Sequence, residues 1–304
     1  MSTILIGGGS GLIGTRLSEM LTKKGHKVLH LSRRQDLDAK FPKYAWDLKK
    51  GTIDLTAVSM ADYIINLAGA GIADKRWTEA RKKEIIESRT GSTFLIKKAV
   101  EQLKQTPKAI ISASAIGFYG DRADELLKED SKPGASGFLS ESTQIWESAI
   151  HKLETLPCRQ VTIRIGVVLS TKGGALKPFL LQNQFRLGTY FGNGQQYYSS
   201  IHIDDLCRIF IYAIENEQLS GVFNGVSPDP VTVYDFVKAV SAALNKKAFM
   251  IPAPSFAVRL LMGEMADVVL SSTRVCSKKI ETQGFQFKYP TTVAAIRQLL
   301  KEKR

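Results

Sequence analysis

Residues 1–14 read MSTILIGGGSGLIG, which places an apolar strand, a glycine-rich turn and the start of a helix next to one another. Residues 2–6 have the character of a short buried strand. Apolar residues at positions 12, 13, 17 and 21 then follow helical spacing, so the hydrophobic period changes at the glycines. This order of elements predicts the opening unit of a parallel α/β fold.

The glycines of this turn, Gly8, Gly11 and Gly14, have the spacing GxxGxxG. In dinucleotide-binding folds the first glycine permits a tight turn, the second lets the backbone approach a pyrophosphate, and the third allows close packing of helix against strand. A plain glycine turn is the alternative, but the strand and the helix on either side favour a dinucleotide site. The predicted contacts are Gly8, Ser10, Gly11, Leu12 and Ile13.

The end of the next predicted strand, residues 28–31, indicates which dinucleotide is bound. An acidic residue there would accept a hydrogen bond from the 2′-hydroxyl of NAD, whereas arginine accommodates a 2′-phosphate. The sequence offers Ser32, Arg33 and Arg34, and the first acid is Asp36. We therefore predict NADP(H) as the cofactor, with ordinary surface arginines as the alternative.

Strands alternate with helices up to about residue 170, which predicts an α/β fold with a doubly wound parallel (Rossmann) sheet. Turn-rich and helical segments follow and predict a smaller, mostly helical C-terminal lobe on the substrate side. We predict an NADP-binding Rossmann domain over 1–170, completed by parts of 200–228. Mixed substrate-side segments would span 171–250, and a small C-terminal domain 251–304.

Some local elements are also predicted. A long helix is expected to open at Trp77, another to span 138–156, and a buried strand to span 160–169. Asp204 is a plausible N-cap for the helix that follows it. Residues 284–290 are expected to form a closing strand.

The chain carries 42 basic and 29 acidic residues, a net charge of +13. Its lysines and arginines are scattered, without a long basic tract or interleaved aromatic residues, so no nucleic-acid partner is expected. A solvated basic surface is the favoured interpretation, and attraction of a polyphosphate cofactor or an anionic substrate is the alternative.

The sequence has no signal peptide and no run of roughly 18 apolar residues, so we expect a cytoplasmic protein without membrane insertion. Cys158, Cys207 and Cys276 lack metal-ligand spacing. They are interpreted as reduced core thiols, and no metal is expected.

Several further motifs accompany the glycine turn. They are NLAG at 66–69, RWTE at 76–79, SR at 88–89, SAIGFYG at 114–120, WE at 146–147, RIGVVL at 164–169 and IHIDDL at 201–206. Together they resemble the atypical and extended short-chain dehydrogenase/reductase superfamily. Within it the chain is most similar to the NAD(P)-dependent, epimerase-like YfcH-type family, which carries a small extra C-terminal domain.

This resemblance implies a wider set of cofactor contacts and a small-molecule substrate, and it leaves a homodimer open. Spacing alone would make Glu84 and Arg89 a solvated ion-pair face, whereas the resemblance gives both a cofactor contact. Beyond the glycine turn, the implied contacts are Ser32, Arg33, Arg34, Leu67, Ala68, Glu84, Arg89 and the main chain near Val167.

The superfamily's chemistry normally uses a Tyr-x-x-x-Lys pair on the helix after the serine strand, together with a serine that hydrogen-bonds the substrate oxygen. Ser114 fits the serine. Residues 138–156 contain no tyrosine, and an approximate alignment on Glu147 puts Leu139 and Thr143 in place of the pair.

A Tyr-x-x-x-Lys match at Tyr234 and Lys238 lies on a later helix and is interpreted as coincidence. Tyr119 could reach the crevice beside Ser114, although a structural turn aromatic is the alternative. Three other residues are candidate proton donors, each with a structural alternative: Glu141, Lys177 and His202.

Two functions therefore follow from the sequence. The first is an NADP(H)-dependent, epimerase-like or oxidoreductase-like enzyme that acts on a carbonyl or sugar-type substrate without the usual tyrosine. The second is a catalytically silent NADP(H)-binding sensor or scaffold protein.

Overall fold

The computed structural model describes residues 1–103 and 106–301. The strands are β1 Thr3–Gly7, β2 Lys27–Ser32, β3 Lys43–Asp47, β4 Thr52–Ile53, β5 Tyr63–Asn66, β6 Ala109–Ala115, β7 Leu126–Leu127, β8 Arg159–Ile165, β9 Val167–Leu169, β10 Leu187–Phe191, β11 Tyr197–Tyr198, β12 Ser200–His202, β13 Gly221–Gly225, β14 Val231–Thr232, β15 Phe249–Ala253 and β16 Arg274–Val275.

The helices alternate with these strands through most of the chain. They are α1 Leu12–Lys23, α2 Leu55–Ser59, α3 Glu79–Leu103, α4 Phe138–His151, α5 Leu176–Gln184, α6 Ile203–Glu215, α7 Val233–Ala243, α8 Ser255–Met262, α9 Asp267–Leu270, α10 Lys278–Thr282 and α11 Thr292–Lys301. Short 3₁₀ helices span Ile116–Tyr119, Lys152–Thr155 and Gly263–Ala266.

An eight-stranded sheet in the order β13-β8-β6-β5-β1-β2-β3-β4 forms the centre of the fold. Its neighbouring strands pair in parallel, except that β4 runs antiparallel to β3. Ile4, Leu5 and Ile6 of β1 are fully buried, as expected for a parallel strand covered on both faces. Helix α1 packs against α6, and α3 packs against α4. The predicted doubly wound α/β sheet is confirmed.

Smaller strand pairs connect the later part of the chain to this sheet domain. β9 pairs with β12, β10 pairs with β15 and β11 pairs with β14. β16 pairs with β7, so the chain near residue 274 is joined to the segment that follows β6. No helix within residues 1–103 and 106–301 has the length and apolar character to cross a membrane.

The predicted strand over 160–169 is divided at Gly166. β8 pairs within the main sheet, whereas β9 pairs with β12. The main chain changes partner at this point, because Gly166 N donates to Gly225 O and Val167 N donates to Ser199 O. A Cβ at residue 166 would lie 2.6 Å from the Ser199 carbonyl oxygen, so this crossing requires glycine.

Two other local predictions are wrong. The N-cap of α6 is His202, whose Nδ1 accepts the Asp204 N–H, while the Asp204 carboxylate binds Arg16 instead. Residues 284–290 form no strand. The N–H groups of residues 288 and 289 donate to the buried Asp205 carboxylate and so are not available for strand pairing.

The long helices differ from expectation only at their ends. Helix α3 begins at Glu79 rather than Trp77, whose indole N–H donates to the Ile72 carbonyl 2.8 Å away. Helix α4 ends at His151, and a 3₁₀ turn continues to Thr155.

Candidate cofactor site and active site

The glycine turn is compressed between β5 and α1. Gly8 has a φ of +80°, and a Cβ there would lie 2.8 Å from the Leu67 carbonyl. A Cβ at Gly14 would lie 2.4 Å from the Gly8 carbonyl oxygen. These two positions need glycine because backbone meets backbone there.

The N-terminus of α1 is left open by the same turn. Its N-cap, Gly11, supplies no side-chain cap, and the first turn of the helix carries no acid. Ser10 and Gly11 are exposed, and they line a cavity of about 200 Å³ whose other wall includes Lys172. Glu19 and Asp204 also line this cavity. The free first-turn N–H groups and the positive end of the helix dipole suit this end of α1 to a phosphate.

His30 supports this turn from below. A Cβ at residue 9 would lie about 2.4 Å from the His30 ring, so only glycine fits there. The Nε2 atom of His30 lies 2.8 Å from the Ser18 hydroxyl oxygen. Burial, aided by the charge of Lys43, lowers the pKa of His30 to about 4. The imidazole is therefore neutral at physiological pH.

The tip of β2 forms a basic depression. The depression is lined by Ser32, Arg33, Arg34, Gln35, Asp36 and Lys43. Arg33 and Arg34 are exposed, and Lys43 Nζ lies 3.3 Å from the Asp36 carboxylate. Three cations thus share the depression with one carboxylate, an environment that suits a phosphate group.

The end of β5 lies beside the glycine turn and is the third part of the candidate cofactor site. Asn66 Oδ1 accepts the Ala68 N–H, which fixes the main chain at residues 67–68. The Arg89 guanidinium lies against Gly69, 3.1 Å from where a Cβ would be, and stacks 5.0 Å from the Trp146 ring. Burial, aided by the charge of Arg81, lowers the pKa of Arg89 to about 10.

Arg81 is a residue that the sequence did not single out. It is 8% exposed, and it donates to the Glu84 carboxylate at 2.7 Å and to the Gly71 carbonyl. The hydrogen bond from Arg81 lowers the pKa of Glu84, whose side chain is exposed and ionised. Within the described residues the Nε of Arg81 is buried without a partner. Arg81 therefore pairs with Glu84 through a hydrogen bond at the surface of α3.

A polar row crosses the sheet near the carboxyl ends of three strands. Ser114 of β6, Arg164 of β8 and Asn224 of β13 are in register with one another. They are buried, with exposed fractions of 4% or less.

Glu147 of α4 and Tyr119 complete this row. Arg164 binds the Glu147 carboxylate through two hydrogen bonds of 2.7 and 2.8 Å, and Ser114 Oγ donates to the same carboxylate at 2.6 Å. The Tyr119 hydroxyl accepts from Arg164 and donates to Asn224 Oδ1. Each member thus has a partner inside the protein.

This geometry bears on the two predicted catalytic residues. The Ser114 hydroxyl would have to leave Glu147 to meet a substrate oxygen. Tyr119 has no exposed surface, and burial raises its pKa to about 12, although Arg164 opposes the shift. The hydrogen bonds favour a structural role for both, and their catalytic roles stay predictions.

The other candidates are dispersed. His202 is buried, with Nε2 2.7 Å from Gln298 Oε1, whereas Glu141 and Lys177 are exposed. Tyr234 and Lys238 lie on α7, where the lysine Nζ stands 4.5 Å from the centre of the tyrosine ring.

The positions aligned with the usual catalytic pair are filled by other residues. Leu139 is partly buried at the start of α4, and the buried Thr143 hydroxyl donates to the Leu139 carbonyl. Val167, the remaining implied cofactor contact, is partly exposed at the start of β9.

Comparison with known proteins shows which family this chain belongs to. The model for the NAD dependent epimerase/dehydratase family matches residues 4–224, and the domain of unknown function DUF1731 matches residues 253–299. The epimerase family protein YfhF of Bacillus subtilis is 34% identical over 302 residues, which cover 99% of each chain.

Two solved structures are similar as well. Human epimerase family protein SDR39U1 (isoform 2), crystallised with NADPH, gives a TM-score of 0.87 at 34% identity and covers 98% of this chain and 99% of that chain. The nucleoside-diphosphate sugar epimerase from Corynebacterium glutamicum gives 0.79 at 33% identity and covers 98% and 58%. These matches confirm the resemblance seen in the motifs. The chain belongs to the NAD dependent epimerase/dehydratase family.

Proposed function

We propose that this protein binds NADP(H) across the carboxyl ends of its parallel strands. The observation that carries the proposal is the pairing of an open, uncapped α1 N-terminus with the basic depression at Arg33 and Arg34. The glycine turn would receive the pyrophosphate, and the arginines the 2′-phosphate. The human relative, 34% identical and crystallised with NADPH, supports the same cofactor.

The remaining contacts would position the rest of the cofactor. Main chain at residues 67–68, held by Asn66, would line its central part, and Arg89 would add a cation at the same wall. Glu84, held by Arg81, is placed to accept hydrogen bonds. When bound, the nicotinamide would supply hydride transfer.

We further propose that the bound cofactor acts on a carbonyl or sugar-type substrate. The family assignment and the relative described as a nucleoside-diphosphate sugar epimerase support this class. The proton donor would differ from the usual tyrosine, because Leu139 and Thr143 stand where the catalytic pair is expected.

A turnover assay tests this reaction. The protein is incubated with NADPH or NADP⁺ and a panel of carbonyl compounds and nucleotide sugars, with cofactor absorbance and sugar stereochemistry followed in parallel. We expect oxidation, reduction or epimerisation of at least one substrate class. NADPH binding without turnover across the panel would favour a catalytically silent sensor or scaffold, a function consistent with the buried Ser114 hydroxyl.

Adenosine fragments test the phosphate site independently of turnover. Adenosine 2′,5′-bisphosphate should displace NADPH far better than 5′-AMP, because only the former carries the group that Arg33 and Arg34 would bind. Equal displacement by the two fragments would contradict the assignment of the basic depression.

A further inference from the structure

Residues 181–187 and 249–251, far along the chain from the glycine turn, form an exposed apolar face. It is built from Leu181 on α5, Phe185 at the C-cap of α5, Leu187 on β10, and Phe249 and Ile251 on β15. Leu181 and Phe185 are one helical turn apart, Leu187 and Phe249 are paired in register, and Ile251 follows on the same side of its strand. These five residues therefore form one apolar surface.

The exposure of this face is high for side chains of its kind. Phe249 is 75% exposed and Phe185 is 71% exposed, while the other three range from 39% to 57%. Single exposed apolar residues are ordinary, but a contiguous group of large ones marks an interaction surface. The two phenylalanines project from the surface.

The charged residues in the chain segments that form the apolar face are basic. Neither residues 155–203 nor residues 236–263, the two segments that meet in the β10–β15 pair, contain an aspartate or a glutamate. Four exposed cations adjoin the face in the chain: Lys177, Arg186, Lys246 and Lys247. Lys177 is one turn before Leu181, and Arg186 separates Phe185 from Leu187.

The exposed apolar side chains and the surrounding cations together indicate which kind of partner would bind this face. A second copy docked about a twofold axis would bring two basic rims together, which like-charge repulsion opposes. Protein partners are held mainly by anchors buried in pockets, whereas projecting aromatic side chains with surrounding lysines and arginines suit a lipid interface.

We propose that the apolar face docks on an anionic membrane surface. Phe185 and Phe249 would enter the boundary between head groups and acyl chains, and the four cations would face anionic head groups. The contact is peripheral, since no helix among the described residues can cross a membrane. The proposal does not depend on whether the proposed NADP(H) site is active.

Vesicle sedimentation of the full chain tests the proposal. The protein should sediment with phosphatidylcholine vesicles that contain phosphatidylserine and stay in solution with phosphatidylcholine alone. Added salt should release it, because screening weakens attraction to the lipid head groups. The double variant Phe185→Ser/Phe249→Ser should lose binding, and Lys246→Glu/Lys247→Glu should weaken it by about tenfold or more.

Phe94→Ser is the matched control, since Phe94 is 42% exposed on α3 and lies outside the apolar face. It should bind vesicles as the unmodified chain does, and circular dichroism should show that each variant is folded. Failure of the unmodified chain to bind phosphatidylserine vesicles, or undiminished binding by both double variants, would overturn the proposal. So would a dimer that Phe185→Ser/Phe249→Ser dissociates in the absence of lipid binding, because the face would then join two copies.

Discussion

Glu147 holds together residues from two strands by accepting hydrogen bonds from Ser114 and Arg164. Glu147→Ala would leave the buried Arg164 guanidinium without its counter-charge. Breaking a buried pair in this way costs about 3–5 kcal/mol of unfolding free energy, which urea denaturation would measure.

The control for this prediction is Glu215→Ala, which removes the exposed ion pair between Lys24 and Glu215. An exposed pair contributes under about 1 kcal/mol, so this variant should unfold close to the unmodified protein. Equal losses in the two variants would contradict the structural importance of the Glu147 pair.

His30 makes stability depend on pH. Its pKa is about 4 in the folded protein and about 6.5 when unfolded, so the unfolded chain binds more protons between those values. The contribution of neutral His30 is therefore complete above pH 6.5 and is lost as the pH falls towards 4. The shift corresponds to about 3 kcal/mol.

Denaturation curves at pH 7 and pH 4.5 check this effect. The unmodified protein should lose more stability over this interval than His30→Gln, which cannot titrate there. If the two proteins lose the same amount, protonation of other groups accounts for the acid sensitivity.

Sequence reasoning worked best for residues whose position depends on near neighbours. The tip of β2 follows directly from Ser32-Arg33-Arg34, since a strand end and its first side chains are local features. The Arg164–Glu147 pair could not be predicted in the same way, because it depends on which strand lies beside which and on how α4 packs over them. Buried Arg81 was missed for the same reason.

At the scale of elements, the start of α1 depends on a close contact between backbones. Gly14→Ala would put a Cβ 2.4 Å from the Gly8 carbonyl oxygen, so the turn must shift. We expect a destabilisation of more than about 1 kcal/mol and weaker NADPH binding, measured by thermal unfolding and by fluorescence titration.

Gly91→Ala provides the matched change in another helix. A Cβ at Gly91, inside α3, would meet no atom within 4 Å. Alanine is the better helix former, so this variant should be unchanged or stabilised by up to about 1 kcal/mol. A loss of NADPH binding in Gly91→Ala as large as in Gly14→Ala would show that the contact in the turn is not the cause.

Elements were predictable where periodicity was strong and partners were sequential. β1 and α1 lie close to where the pattern puts them. The strand over 160–169 divides after Gly166, because Gly166 N donates to Gly225 of β13 whereas Val167 N donates to Ser199, in a distant part of the chain. Residues 284–290 look like a strand, but the buried Asp205 binds two of their N–H groups.

For the whole molecule, the parallel sheet gathers the glycine turn, the arginines after β2 and the end of β5 along one edge, because adjacent strands β5, β1 and β2 all end there. The sequence could predict this arrangement because strand–helix alternation fixes the class of fold. The predicted substrate side would be built from segments that follow residue 170, whose short strands pair with distant partners. The catalytic chemistry of this part of the protein could therefore not be predicted from the spacing of residues in the sequence.

The dissociation constants of NADPH and NADH, measured by titration of the unmodified protein and of Arg33→Ala, test the central claim most directly. Arg259→Ala, an exposed arginine outside the site, serves as the control. We predict tighter binding of NADPH than of NADH, a preference that Arg33→Ala reduces by about tenfold or more and Arg259→Ala leaves unchanged. Equal affinities for the two cofactors, or a preference that Arg33→Ala does not alter, would contradict the account.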